Sequence, residues 1–151
     1  MTDKSKYAKE LFLDGYGCAQ AVLLAFREEL NINKETAQLI ASSFGGGMGR
    51  MREVCGCASG MFMVAGLKCG PLDHKDLKAK EEHYRLIQLL AEDFKKETGS
   101  LICRELLGIS NKLPSEPAPQ PRTPQYYKKR PCADMVALAA EILQKRLFKE
   151  N

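Results

Sequence analysis

The chain has 151 residues, six cysteines, no tryptophan and a formal net charge of +4. That length suffices for one domain, 1–151, with its own hydrophobic core, so cysteines are not needed to staple a small fold. The mild charge is scattered among acidic residues, with Lys128-Lys129-Arg130 as the one basic run and little aromatic clustering beyond Tyr126-Tyr127. This argues against nucleic acid and reads as a solvated surface.

The charged first six residues carry no apolar signal segment. The longest apolar stretch, 54–67, is about 14 residues, short of the ~20 needed to cross a bilayer, so no membrane insertion is expected. The predicted location is cytoplasmic, where cysteines are expected as thiols or metal ligands rather than structural disulfides.

In chain order, a short helix fits 4–13, and Gly15-Tyr16-Gly17 leads into an apolar-periodic run at 18–30, with Ala19, Leu23, Phe26 and Leu30 on one stripe. A further helix fits 34–44. The glycine-rich Phe44-Gly45-Gly46-Gly47-Met48-Gly49-Arg50 then precedes 55–69, which is apolar all round and reads as a buried central helix with smooth Gly56, Gly60 and Gly66 faces. Met48, Met51, Met61 and Met63 around it read as flexible core filling. A long charged helix begins near Asp73, with Leu77, Tyr84, Ile87, Ala91 and Phe94 as its stripe and with His74 and His83 on a solvated face. Residues 111–131 hold six of the seven prolines and are expected to be extended and non-helical. Val136, Ala140, Leu143 and Leu147 mark a last helix. No run alternates with period two, so the predicted fold is all-α, a bundle of about six helices.

Four cysteines each open a helix in this reading. Cys18 and Cys55 follow glycine-rich segments, Cys103 lies in the first turn after Ser100 as N-cap, and Cys132 follows Pro131. A helix start offers unpaired N–H groups and partial positive charge, which stabilise a thiolate or an anionic metal–sulfur centre. If the four starts converge, they make one thiolate-rich redox or metal site, and the proline-rich segment is long enough to return Cys132 to it. Without a Cys-x-x-Cys pair the chain is neither a zinc ribbon nor a thioredoxin-type protein. Cys55-Gly56-Cys57 offers a fifth ligand in Cys57, or a redox pair. Cys69 lies about 21 Å from Cys55 along a continuous helix and at its C-terminal end, so it reads as structural. The glycine loop lacks a preceding strand and a Walker lysine, so it reads as a hinge allowing close backbone approach rather than a phosphate cradle.

Gly17-Cys18-Ala19-Gln20-Ala21, the glycine loop leading into Glu53-Val54-Cys55-Gly56-Cys57-Ala58-Ser59-Gly60, then Cys103-Arg104-Glu105-Leu106-Leu107-Gly108, and finally Cys132 form an ordered set. In this set the chain resembles the redox-active proteins named for their C_GCAxxG_C_C cysteine pattern. The resemblance implies that Cys18, Cys55, Cys103 and Cys132 are the signature cysteines, with an iron–sulfur cluster as the suspected cofactor. That family is similar in turn to the helical, iron–sulfur part of dimeric split-Soret cytochromes c, which leaves a homodimer open. Cys57 stands where the family's Cys-Gly-Ala-x-x-Gly has alanine.

The expected function is therefore a redox protein that binds an iron–sulfur cluster or another metal through Cys18, Cys55, Cys103 and Cys132, with Cys57 as an added candidate. It would serve electron transfer with a redox partner protein. Zinc, or no metal at all, stays open. The alternatives are a thiol–disulfide oxidoreductase using Cys55 or Cys57, and a helical adaptor with inert cysteines.

Overall fold

The computed structural model describes residues 3–109 and 115–149. Residues 111–114, the start of the expected proline-rich segment, lie outside it. The fold is all-α. Among the described residues there are eight α-helices: α1 (Asp3–Leu13), α2 (Cys18–Ala25), α3 (Lys34–Ala41), α4 (Gly56–Cys69), α5 (Leu77–Thr98), α6 (Cys103–Leu107), α7 (Pro124–Lys129) and α8 (Cys132–Leu147). A 3₁₀ turn, Ser42–Phe44, follows α3. No strand forms among these residues, and one isolated antiparallel bridge pairs Val54 with Ile102.

Local chemistry sets several boundaries. Gly17 precedes α2 and the Gln20 side chain reaches back to its N–H at 2.9 Å, half of a capping box. The Asn33 side chain accepts from Thr36 N–H at 2.7 Å and starts α3. Asp76 caps α5 through Ala79 N–H at 3.0 Å, so this helix starts at Leu77 rather than near Asp73, whose carboxylate instead accepts from Lys75 N–H. Gly99 ends α5 in the left-handed conformation, φ 90°. The expected run to Leu30 breaks at Ala25: Phe26 leaves helical geometry and turns follow to Asn31, φ 54°.

The core lies between α1, α2, α4 and α8. Phe12, Phe26, Leu23, Leu24, Met61, Val64, Val136 and Leu143 are fully or nearly fully buried, and Leu90 and Phe94 of α5 join them. The N-terminal part of α4 is buried all round, whereas Gly66, Leu67, Lys68 and Cys69 are exposed. The expectation of a fully buried central helix therefore holds only to about Ala65, because the last turn carries the charged Lys68 past the core. Close approach explains two glycines of α4. A Cβ on Gly60 would lie 2.9 Å from Val22 Cβ and 3.0 Å from the Ala19 carbonyl, and one on Gly56 would lie 3.0 Å from Cys18 Cβ. Gly66 faces open space.

Three further expectations are corrected. The proline-rich segment is not uniformly extended: Thr123 caps Tyr126 N–H at 3.2 Å with Pro124 in the first turn, and the short α7 forms. His83 is half-buried with an unpartnered Nδ1, unlike the exposed His74. Of the four clustered methionines, Met61 fills core but Met51 is 57 % exposed.

Candidate functional site

Four helix starts meet at one cavity of about 460 Å³, which is lined by Cys18, Cys55, Cys103 and Cys132. Cys18, Cys103 and Cys132 are the first residues of α2, α6 and α8, and Cys55 is the N-cap of α4. One N-cap differs from expectation: Ile102 rather than Ser100 caps α6, and the Ser100 hydroxyl instead accepts from Ile102 N–H at 2.9 Å and bonds the Glu105 carboxylate. Pro131 occupies the cap before Cys132.

Residues 52–55 run antiparallel to 101–104. Cys55 N–H donates to the Leu101 carbonyl at 2.7 Å, Cys103 N–H to Glu53 at 2.6 Å and Arg104 N–H to Arg52 at 3.2 Å. These bonds tie the start of α4 to the start of α6 and set Cys55 beside Cys103. The Gly56 approach to Cys18 ties α4 to α2. Cys132 is returned by the segment 115–131, which is anchored through Arg122. Its guanidinium donates to the Phe12 and Tyr16 carbonyls at 3.0 and 3.1 Å and lies 4.2 Å from the Phe12 ring centroid.

The glycine loop forms the wall between these starts. Gly46, Gly47, Met48, Gly49 and Arg50 are consecutively left-handed, φ 55° to 71°, and Arg52 is left-handed again at 62°. Each non-glycine residue in that conformation costs about 1–2 kcal/mol. Crossing bonds hold the turn: Gly49 N–H to Ser43 at 2.7 Å, Arg52 N–H to Gly46 at 3.1 Å and Glu53 N–H to Gly47 at 2.9 Å. A Cβ on Gly47 would fall 2.6 Å from Cys103 Cβ, so glycine is required beneath that cysteine. Backbone strain of this kind persists where the surroundings over-determine it, commonly at functional sites. The hinge reading of the loop thus becomes a strained wall.

The thiols form a connected set. Cys18 is held well below the ordinary thiol range, first by the hydrogen bond from Cys132, then by that from Cys57, with the Arg122 charge adding to both. The same bonds push Cys57 and Cys132 up. The hydrogen bond from Cys57 lowers Cys55 against the opposing effect of burial. Burial raises Cys103, partly offset by Arg52, whose Nη1 lies 3.6 Å from Cys103 Sγ. Cys57 is fully buried behind the cavity. Cys69 is exposed, donates to the Ala65 carbonyl at 3.2 Å and does not line the cavity.

The chemistry of this donor set fits a soft metal or an iron–sulfur centre: thiols from four helix starts, a cavity in front of them and a positively charged surround. As placed, no group of three or more His, Cys, Asp or Glu side chains among the described residues stands in metal-holding arrangement. Ligation would require the side chains to close further on one point.

Four arginines line the same cavity and were not expected there: Arg50, Arg52, Arg122 and Arg130. Arg130 belongs to the basic run read as solvated surface. The signal available in sequence was the placement of Arg50 and Arg52 between the glycine loop and Cys55.

No curated protein and no solved structure matches the chain. Residues 16–146, spanning Cys18, Cys55, Cys103, Cys132 and the glycine loop, match one protein family, and on that match the chain belongs to the family described as "Putative redox-active protein (C_GCAxxG_C_C)".

Proposed function

We propose that this chain is an electron-transfer protein whose cavity holds an iron–sulfur or other thiolate-bound metal centre through Cys18, Cys55, Cys103 and Cys132. The observation that carries the reading is the opening of four separate helix starts, each with its cysteine, onto one cavity. When bound, the centre would supply one-electron chemistry. The chain's own residues then do the rest. The helix starts, Arg52 and Arg122 stabilise negative charge on sulfur, and Cys57 donates to neighbouring sulfurs from the buried side. Segment 115–131 covers the site from one side, and a redox protein docking there would exchange the electron.

Protein purified without oxygen tests this by its visible absorption and by iron, sulfide and zinc content. Colour with stoichiometric iron and sulfide is expected. Stoichiometric zinc in colourless protein would make the site structural.

A second reading is favoured by the opening of Cys18 and Cys132 onto the same cavity, with the Cys18 thiol held below its ordinary range by Cys132 and Cys57. Two of these thiols would reduce a disulfide substrate. One S–S bond forms in the protein, the substrate S–S bond breaks to two thiols, and two electrons and two protons pass to it. Colourless, metal-free protein with a reversible disulfide at Cys18 would select this reading.

A further inference from the structure

We propose that the cavity is also a binding site for a small anion, an oxyanion or a small carboxylate, gripped by Arg50 and Arg130 in front of the thiols. Among the described residues, four guanidinium groups and no Asp or Glu line this cavity. Among the described residues none of the four arginines forms an ion pair. Glu116 acts on Arg50 only from beyond ion-pair distance. Concentrated charge of one sign in a concave site with low-dielectric walls focuses potential and attracts the opposite ion.

The arginines divide by what they already hold. Arg52, only 8 % exposed, is directed at Cys103 Sγ. Arg122 uses both terminal nitrogens on the Phe12 and Tyr16 carbonyls. Among the described residues Arg50 gives only Nη1, to the Ala118 carbonyl, and its Nε is buried without a partner. Arg130 gives only Nη2, to Gln120 at 2.9 Å, and rests against the Tyr126 ring. Arg50 and Arg130 therefore keep free donors in planar forks suited to oxyanions and carboxylates.

The two also feel each other. Arg50 is lowered from its ordinary value by burial and then by the charges of Arg52 and Arg130, which is the repulsion an anion would relieve. Space supports a ligand besides a metal centre. A cavity of about 460 Å³ lies in the range of small-molecule pockets, whereas metal–thiolate bonds of ~2.3 Å engage only its thiol wall. Binding of the anion does not rest on the proposed function.

The test is calorimetric titration of the full-length, reduced, metal-free chain with inorganic phosphate and, separately, with acetate, at ionic strength held constant with chloride. Saturable binding is expected for at least one of them. Arg50→Gln and Arg130→Gln should each weaken it by about tenfold or more. Arg85→Gln removes the same charge from the surface, where Arg85 meets Glu81, and should leave binding unchanged. Arg130→Lys keeps the charge without the fork and should fall between wild type and Arg130→Gln, with circular dichroism confirming that each variant is folded. Absence of saturable binding overturns the proposal. Equal affinity in wild type, Arg50→Gln and Arg130→Gln means an adventitious ion only and overturns it too. Iron and sulfide content after anaerobic reconstitution is read separately. Anion binding without iron uptake defeats the metal centre alone, and iron uptake without anion binding defeats the anion site alone.

Discussion

Helix α4 contains two glycines in opposite situations, and replacing each by alanine measures how tightly the helix holds Cys18. At either position alanine gains about 1 kcal/mol of helix propensity. At Gly66 nothing lies within 4 Å of the new Cβ, so that gain should appear nearly whole as added stability. At Gly60 the new Cβ would meet Val22 Cβ at 2.9 Å and the Ala19 carbonyl oxygen at 3.0 Å. Neither neighbour is the tip of a flexible side chain, so α2 must move, and overpacking of this kind costs about 1–3 kcal/mol or more. Gly60→Ala should therefore be net destabilising by up to about 2 kcal/mol, leaving the two variants about 1–3 kcal/mol apart. At about 2–4 °C per kcal/mol for this chain length, the melting temperatures should differ by about 2–12 °C. Urea unfolding of the reduced protein gives the free energies directly. Because Gly56 touches Cys18 one turn earlier, Gly60→Ala should also speed alkylation of Cys18. Gly60→Ala as stable as Gly66→Ala would refute the close α2–α4 crossing and with it this account of how Cys18 is positioned.

Cys69→Ser should leave iron or zinc content near wild type after anaerobic reconstitution, while Cys132→Ser should lower it severalfold; equal content in the two would remove Cys132 from the site. Arg122→Met should cost about 2 kcal/mol through two lost charged hydrogen bonds and the stacked Phe12 contact, and should expose the segment 115–123 to limited proteolysis while α5 stays protected. Unfolding free energy of the reduced, metal-free protein should depend on pH in two opposite limbs. Cys18 titrates lower in the folded than in the unfolded chain, so its contribution is present above the ordinary thiol value of about 8.5 and is lost as pH falls through its depressed folded value. Cys57 and Cys132 titrate higher when folded, so they withdraw stability as pH rises past that ordinary value. Cys18→Ser should flatten the lower limb; an unchanged lower limb would contradict the Cys132–Cys18–Cys57 connection.

What could be read from sequence here was what short-range chemistry determines. Gly17 before Cys18, the glycine loop before Cys55 and Pro131 before Cys132 are local punctuation, and each of these cysteines does open or cap a helix. The family pattern added their order along the chain. The errors fall where a distant segment decides the outcome. Ser100 has the chemistry of an N-cap, but pairing of residues 101–104 with 52–55 moves the cap to Ile102 and leaves Ser100 holding the turn from outside. Lys128-Lys129-Arg130 looks like solvated charge because only tertiary packing turns Arg130 inward, against Tyr126 and Gln120.

The arginines were the larger omission, and their placement follows from strain rather than from pattern. Arg50 and Arg52 reach the cavity because the loop from Gly46 to Arg50 winds left-handed, a course the glycines permit and the crossing bonds to Ser43, Gly46 and Gly47 enforce. Reading the glycines as a hinge captured the permission but not the enforcement, since those bonds join residues that only the folded loop brings together, with Gly47 packed beneath Cys103. The strained wall and the cysteine site thus depend on each other. A substitution that unwinds the loop, such as Gly47→Ala with its Cβ forced onto Cys103, should scatter the arginines and the thiols together rather than remove either set alone.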